Sequence, residues 1–152
     1  MMDDLDRTIL AELQRDGRLS LTQLADRVGL TMSPCHRRLR ALEESGVIAG
    51  YHASLDPTQV GLGFQALVFV TMRGADRDTL TAFEQAVEEI PAVLQAQRLF
   101  GEPDYLLRII TTDLAAFQHL YDTTLATLPG VQKLTSTLVM KNIVESRELP
   151  LA

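Results

Sequence analysis

Hydrophobic residues in the first fifty positions recur at helical spacing in three short runs. The first run follows a candidate N-cap aspartate at position 3 or 4, ends at Gly17, and contains Leu5, Ile9, Leu10 and Leu13. The second run opens on Ser20, which has the capping-box spacing to Gln23, and ends at Gly29, a residue suited to the left-handed C-terminal position. We predict two short helices joined by a turn.

The third run starts at Ser33-Pro34, which reads as an N-cap followed by proline at the first helical position, and continues to about Ser45. Two short helices joined by a turn that contains glycine are typical of a helix-turn-helix. We therefore predict that residues 1–49 form a winged or tri-helical helix-turn-helix domain that binds DNA.

Beyond this region the pattern predicts a strand–helix–strand unit that occurs twice. The predicted strands are residues 64–72, 93–100, 105–111 and 131–143. The helices between them carry the apolar stripes Leu80, Phe83, Val87 and Ile90, then Leu114, Phe117, Tyr121, Leu125 and Leu128. The halves align at an offset of 38 residues, which pairs Ile90–Val93 with Leu128–Val131.

Two such units predict an α+β fold, a ferredoxin-like (βαββαβ) sandwich over residues 63–152, preceded by a β-strand linker over residues 50–62. Two helices cover only one face of a sheet, yet the segments Ala66–Val70 and Tyr105–Ile110 are apolar at nearly every position. We therefore predict self-association through the second face, with roughly 2,000 Å² or more buried in total if the assembly is obligate.

Length and composition fit a folded protein of one domain or two small ones, with 152 residues and a formal charge of −6. The longest apolar run, residues 66–70, is far shorter than the roughly 20 residues that span a bilayer. The N-terminus lacks the apolar core of a signal peptide, and the single cysteine, Cys35, cannot form an internal disulfide. We expect a cytoplasmic location and no membrane partner.

The acidic total argues against indiscriminate binding to nucleic acid, but the charge is uneven. Residues 1–50 have a net charge of −1 and residues 51–152 a net charge of −5, while residues 30–42 hold three arginines, one histidine and no acid. Either a solvated helix face or a DNA-contacting surface explains this cluster.

Helical geometry places Cys35, Leu39 and Leu42 on one stripe, so that Arg37 and Arg40 point away from the core. That is the arrangement of a recognition helix. The residues expected at the DNA are Ser20, Thr31, Met32, Ser33, His36, Arg37, Arg38 and Arg40. Two alternatives stay open, because Arg38 also suits a structural pairing and Arg40 a surface ion pair with an acid one turn on.

Catalytic and metal chemistry find no support in the pattern. Cys35 and His36 diverge by about 100° around a helix, so they cannot form a thiolate–imidazole pair. The three histidines are scattered over distinct elements. We expect no enzyme activity, no metal and no cofactor.

The chain resembles the Lrp/AsnC family of bacterial and archaeal transcription regulators. The matching segments are Leu5–Leu10, Gly17–Ser20, Leu24–Leu30, Arg38–Glu43, Gly46–Ile48 with Gly50–Tyr51, Gly101–Tyr105 and Leu128–Val131. The resemblance implies sheet-to-sheet dimers that assemble further, commonly into octamers, and a small effector, typically an amino acid, held between dimers. Transferred by position, the effector-binding residues are Gly101, Glu102, Asp104, Tyr105, Leu114, Thr137 and Leu138.

The chemistry suits such a ligand, because an aspartate pairs with an α-ammonium group and a glycine-containing turn offers N–H groups to a carboxylate. Pro103 removes one of those donors and Glu102 adds an anion, so an ordinary hairpin turn is an open alternative for this loop. The alternatives for the whole chain are an architectural DNA-binding protein without effector and a small-molecule-binding enzyme or accessory domain of ferredoxin-like fold.

Overall fold

The computed structural model describes residues 1–151, which form two compact units. The N-terminal unit consists of residues 1–54 together with residues 143–151, and the C-terminal unit consists of residues 55–142. The predicted assignment of the last segment to the ferredoxin-like domain differs from this division, because residues 143–151 lie with the first unit instead.

Three helices build the N-terminal unit: α1 (Asp4–Arg15), α2 (Leu21–Val28) and α3 (Met32–Glu44). Capping boxes open the first two, with Asp3 and Asp6 at α1 and Ser20 and Gln23 at α2. Gly29 ends α2 with φ +71°, the left-handed conformation that glycine adopts without steric cost. The predicted tri-helical unit is present, and no strand forms among residues 1–54.

Helix α3 begins two residues earlier than predicted, at Met32 instead of Pro34. Its N-cap is Thr31, which makes no side-chain capping bond, so Ser33 and Pro34 are the second and third helical residues. Proline is tolerated there because the N–H groups of the first helical turn have no intrahelical acceptor.

The core of this unit lies where the three helices meet. Its buried members are Ile9, Leu10, Leu24, Ala25, Val28, Cys35 and Leu42. Cys35 is fully buried, and burial raises the pKa of its thiol. It packs as a small apolar side chain, in agreement with the stripe read from the sequence.

The C-terminal unit has the predicted βαββαβ order. Its elements are β1 (Phe64–Met72), α4 (Arg77–Glu88), β2 (Val93–Arg98), β3 (Tyr105–Thr111), α5 (Leu114–Thr123) with a 3₁₀ turn (Leu125–Thr127), and β4 (Val131–Leu138). The sheet order is β2-β3-β1-β4 and all pairings are antiparallel. The boundaries of β1 and β3 agree with the prediction, whereas β4 ends five residues earlier than the predicted residue 143.

Alternate residues of the two central strands face the helices and form the core of this unit. These are Ala66, Val68, Val70 and Met72 of β1 and Tyr105, Leu107 and Ile109 of β3. Leu67, Phe69 and Leu106 occupy the other face and are half-buried, and Ile110 there is 5% exposed. An apolar second face is therefore present, as predicted.

The predicted β-strand linker forms no strand. Residues 47–56 contain no helix or ladder, and a turn follows over residues 57–61. An extended segment becomes a strand only where a neighbour supplies ladder hydrogen bonds, and both edges of β1 are already occupied by β3 and β4.

Gly130 immediately precedes β4 and lies at a position where a side chain does not fit. Its φ is +72°, and an added Cβ would overlap the Thr79 methyl group and lie 3.1 Å from Cε of Met72. Gly61 has a similar φ of +82° with open space around it.

We expect Gly61→Ala to lower the free energy of unfolding by about 1 kcal/mol, because only the backbone conformation is strained. Gly130→Ala should lower it by that amount and by ~1–3 kcal/mol more, because its side chain also overlaps its neighbours. Urea unfolding measures both; equal losses would contradict the packing account.

Candidate functional site

The outward side of helix α3 is polar and open to solvent. Among the residues expected at DNA, Thr31, Met32, Ser33, His36, Arg37 and Arg40 are exposed. Cys35 and Leu42 anchor the opposite side in the core. The helix thus presents two guanidinium groups and several short polar groups on one surface.

The N-terminal end of α3 has free donors. The Thr31 hydroxyl makes no capping bond, and the Thr22 hydroxyl of α2 lies 3.7 Å from the Met32 sulfur. First-turn N–H groups and the helix dipole favour a phosphate at such an end. Ser20 uses its hydroxyl as the acceptor for the Gln23 N–H at 3.1 Å, so its first role is to cap α2.

Arg38 faces inward and joins α3 to the start of α1. Its Nη1 donates to Oδ2 of Asp3 at 2.7 Å and to Oδ1 of Asp6 at 2.8 Å. The side chain is 27% exposed, against 61% for Arg40. Arg38 therefore makes the structural pairing that the sequence left open, since its Nη1 group is bonded to two carboxylates.

The electrostatics at this junction are reciprocal. The carboxylate of Asp3 accepts the Asp6 N–H and pairs with Arg38, and these contacts lower the pKa of Asp3. The two carboxylates in turn raise the pKa of Arg38. One arginine thus pairs with both acids of the capping box, whose carboxylates would otherwise repel each other.

The remaining arginines of α3, Arg37 and Arg40, are exposed at the surface. Arg40 pairs with Glu44 at 3.3 Å, an exposed ion pair that costs little to exchange for a phosphate. The structure records no hydrogen bond or ion pair for Arg37 among the described residues.

In the C-terminal unit, the hairpin between β2 and β3 holds most of the expected effector residues. Asp104 is built into the sheet: its Oδ2 accepts the Met72 N–H at 2.7 Å and its own N–H donates to the Val70 carbonyl at 2.9 Å. Gly101, with φ +133°, and Glu102 are exposed at the tip. Asp104 is half-buried, so one carboxylate oxygen holds the hairpin against β1 while the group still borders the loop.

Tyr105 lies in the core instead of at the loop surface. It is 2% exposed, its ring centroid lies 4.5 Å from that of Phe83, and its hydroxyl donates to Glu84 at 2.7 Å. Arg98 also donates to Glu84, through Nε at 2.7 Å and through Nη2. The Tyr105 side chain therefore supports the start of β3 from within the core.

Glu84 and Arg98 are the residues that the sequence reading missed. The hydrogen bond from Tyr105, together with Arg98, lowers the pKa of Glu84, and burial raises the pKa of Tyr105. No local signal identifies this trio, because a helix, an edge strand and a central strand each supply one member.

The other three expected effector residues lie at the far end of the same sheet. Leu138 pairs with Ala66 and Thr137 with Leu67, whereas Tyr105 pairs with Val70. Three to four residues of β1 separate these rows, about 10–13 Å at 3.3 Å per residue. Leu114 follows β3 at the Leu138 end and is exposed. One chain thus brings the seven residues into two groups.

The described residues contain no group of three or more His, Cys, Asp or Glu side chains placed to hold a metal ion. Within the same residues, no helix is both long and apolar enough to cross a membrane.

Comparisons with known proteins give one family model for each part of the chain. Residues 2–49 match a family model described as winged helix-turn-helix DNA-binding, and residues 65–149 match one described as the Lrp/AsnC ligand binding domain. The DNA-binding transcriptional activator DecR of Escherichia coli (strain K12) is 38% identical over 151 residues, 99% of each chain. The leucine-responsive regulatory protein of Klebsiella pneumoniae is 36% identical over 97% of this chain and 90% of that protein.

A solved structure shares the fold closely. The crystal structure of a transcriptional regulator from Neisseria meningitidis in complex with L-Met superposes with a TM-score of 0.94 at 42% identity. The match covers 99% of this chain and 97% of that chain.

The different surroundings of Arg38 and Arg40 generate a pH-dependent prediction. Arg38→Gln should lower the urea midpoint of unfolding at pH 7, because it leaves Asp3 and Asp6 unneutralised. The lowered pKa of Asp3 stabilises the fold above that group's ordinary value of 3.8, and this contribution is lost as the pH falls through the lowered value. The gap between wild type and variant should therefore close in acid.

Arg40→Gln is the matched control, since it removes an exposed arginine from the same helix. It should leave the midpoint nearly unchanged at both pH values. Equal midpoints for Arg38→Gln and wild type at pH 7 would contradict the structural role of Arg38.

Proposed function

Since the chain belongs to the Lrp/AsnC family, we propose that it is a transcriptional regulator that binds specific DNA sites through α3 and responds to a free amino acid. The observation that supports DNA binding is the exposed polar face of α3, a helix whose opposite side packs in the three-helix core. Arg37 and Arg40 are the side chains on that face that pair bidentately with guanine or clamp phosphates. Met32, Ser33 and His36 complete the surface that enters the major groove.

The proposed response to an amino acid is supported by the hairpin between β2 and β3 and by a similar protein of known structure. The regulator from Neisseria meningitidis was solved in complex with L-Met. This chain has an aspartate, Asp104, and a glycine-containing turn at the hairpin between β2 and β3. We propose that Asp104 pairs with the α-ammonium group while N–H groups around Gly101 receive the α-carboxylate. Pro103 removes one N–H donor from this hairpin and Glu102 adds a negative charge, so we expect a low affinity for the α-carboxylate of the amino acid.

Oligomerisation completes the site in this proposal. The two groups of effector residues stand too far apart for one amino acid to touch both, so a neighbouring subunit supplies the Leu114, Thr137 and Leu138 end. The apolar second face of the sheet, centred on Leu67, Phe69 and Leu106, supports a sheet-to-sheet dimer. Phe100 at the hairpin tip is fully exposed, which suits a contact between dimers that join further, into octamers.

The regulatory consequence follows from where the ligand lies. A ligand held between subunits binds only the assembled geometry that brings its two halves together, so it shifts the population toward that assembly. The spacing of helix-turn-helix pairs on DNA then changes with the amino-acid concentration.

The DNA-binding role is tested with Arg37→Ala and Arg40→Ala. A binding duplex is first selected from a random-sequence pool with the wild-type protein. Each substitution should weaken binding to it by ~1–3 kcal/mol, because each removes a good base or phosphate contact. Gel-shift titration at fixed salt measures the loss.

Arg77→Ala is the control, since it removes an exposed arginine from the C-terminal unit. Unchanged affinity in both α3 variants would remove the recognition role of α3. Protection of long tracts without sequence preference would favour an architectural protein instead.

The effector site is tested with Asp104→Asn. The amide oxygen still accepts the Met72 N–H, so the fold should persist, while the charge that pairs with an ammonium group is gone. Thermal shift against the twenty amino acids, starting with L-methionine, should show ligand stabilisation in the wild type. The variant should bind about 10- to 100-fold more weakly, the value of a charged hydrogen bond.

Asp122→Asn removes an exposed carboxylate from α5 and is the matched control. DNA affinity without ligand should be the same in all three proteins. A full response by Asp104→Asn would show that the pocket lies elsewhere.

A further inference from the structure

Residues 148–151 lie along helix α1, and Gln14 of that helix makes two hydrogen bonds to them. Gln14 donates from Nε2 to the Leu149 carbonyl at 3.1 Å, and its Oε1 accepts the Leu149 N–H at 2.6 Å. One side-chain amide thus satisfies both backbone groups of one residue, as a neighbouring β-strand would. We call residues 148–151 the C-terminal strap.

Apolar packing accompanies these hydrogen bonds. Leu151 is half-buried and packs against the core of the N-terminal unit. Leu149 and Leu151 line a cavity of about 380 Å³ together with Leu10, Leu13 and Ile48. Burial of apolar surface gives the strap a driving force that exposed polar contacts alone do not supply.

Charged groups connect the strap to α2. Glu148 lies 3.6 Å from Arg15, Arg15 pairs with Glu12 at 3.1 Å, and Glu12 pairs with Arg27 of α2 at 3.2 Å. The signs alternate along this row, so every member has an opposite neighbour. Each pair is partly exposed and weak alone, whereas the row joins the strap to the helix-turn-helix.

The sequence of the strap suits this extended docking. Pro150 has no N–H that would need a partner, and a residue that precedes proline is biased toward the extended conformation. Leu149 is that residue, so its N–H and carbonyl are presented together to Gln14. The strap follows strand β4 along the chain, after the connecting residues 139–147.

We propose that the surface of α1 around Gln14 and Leu13 is a binding surface for the chain's own C-terminal strap, and that docking of the strap completes the DNA-binding unit. The C-terminal unit is then connected to the helix-turn-helix twice, through residues 50–56 and through the strap. A movement at the end of β4 acts on α1 through the strap, and undocking lowers the affinity for DNA.

Docking is tested with the full-length variant Gln14→Ala and the control Gln118→Ala. Gln118 is an exposed glutamine of α5 for which the structure records no hydrogen bond among the described residues. Hydrogen exchange of the Leu149 amide should be about 5- to 30-fold faster in Gln14→Ala, the effect of losing one or two ordinary hydrogen bonds, and unchanged in the control. Equal exchange rates in wild type and Gln14→Ala would overturn the docking.

The effect on DNA is tested with the same variants and with a chain that ends at Arg147, using the selected duplex. Gln14→Ala should weaken binding about 3- to 10-fold, and the shortened chain at least as much, without a change in which sequences are preferred. This readout rests on the proposed function, whereas hydrogen exchange does not. Unchanged affinity in both variants would overturn the role of the strap in DNA binding. If the wild type shows no sequence preference, the proposed function fails, and the exchange rates still decide whether the strap docks.

Discussion

Strand β1 is hydrogen-bonded along both edges, to β3 on one side and β4 on the other, and the C-terminal unit is organised around it. Its alternate residues from Ala66 to Met72 form the centre of the core under the two helices. The hairpin that holds Gly101 and Asp104 is tied to the end of this strand through Val70 and Met72. A central apolar strand therefore determines where the core lies, where the hairpin stands and which sheet face is left for a neighbour.

The arginines of helix α3 differ in their surroundings. Arg38 pairs with two carboxylates at the start of α1 and so stabilises the three-helix core, whereas Arg37 and Arg40 face solvent. This division reconciles an acidic protein with DNA binding. Most acids lie in the C-terminal unit or are paired, and a few free guanidinium groups per subunit, multiplied by assembly, supply the attraction.

The sequence predicted the helices and strands well, since these depend on local periodicity. The strands 64–72 and 105–111 agree residue for residue, and the repeat at an offset of 38 residues predicted the βαββαβ order of elements. Two segments predicted to be strands are not strands: the linker over residues 50–62 and the end of β4, residues 139–143. Both have strand-like composition, but whether a strand forms depends on a partner that the local sequence does not specify.

Periodicity, caps and turn residues determined the three-helix unit, the ferredoxin-like unit and the apolar second face of the sheet, because each depends on residues a few positions apart. The roles of single side chains required the tertiary structure. Arg38 meets Asp3 across 35 residues, Asp104 meets Met72 across 32, and Gln14 meets Leu149 across 135. A guanidinium group or an amide at such positions has several possible partners in sequence. Folding brings one of them within hydrogen-bonding distance, and that contact decides which groups support the fold and which are left free for DNA or a ligand.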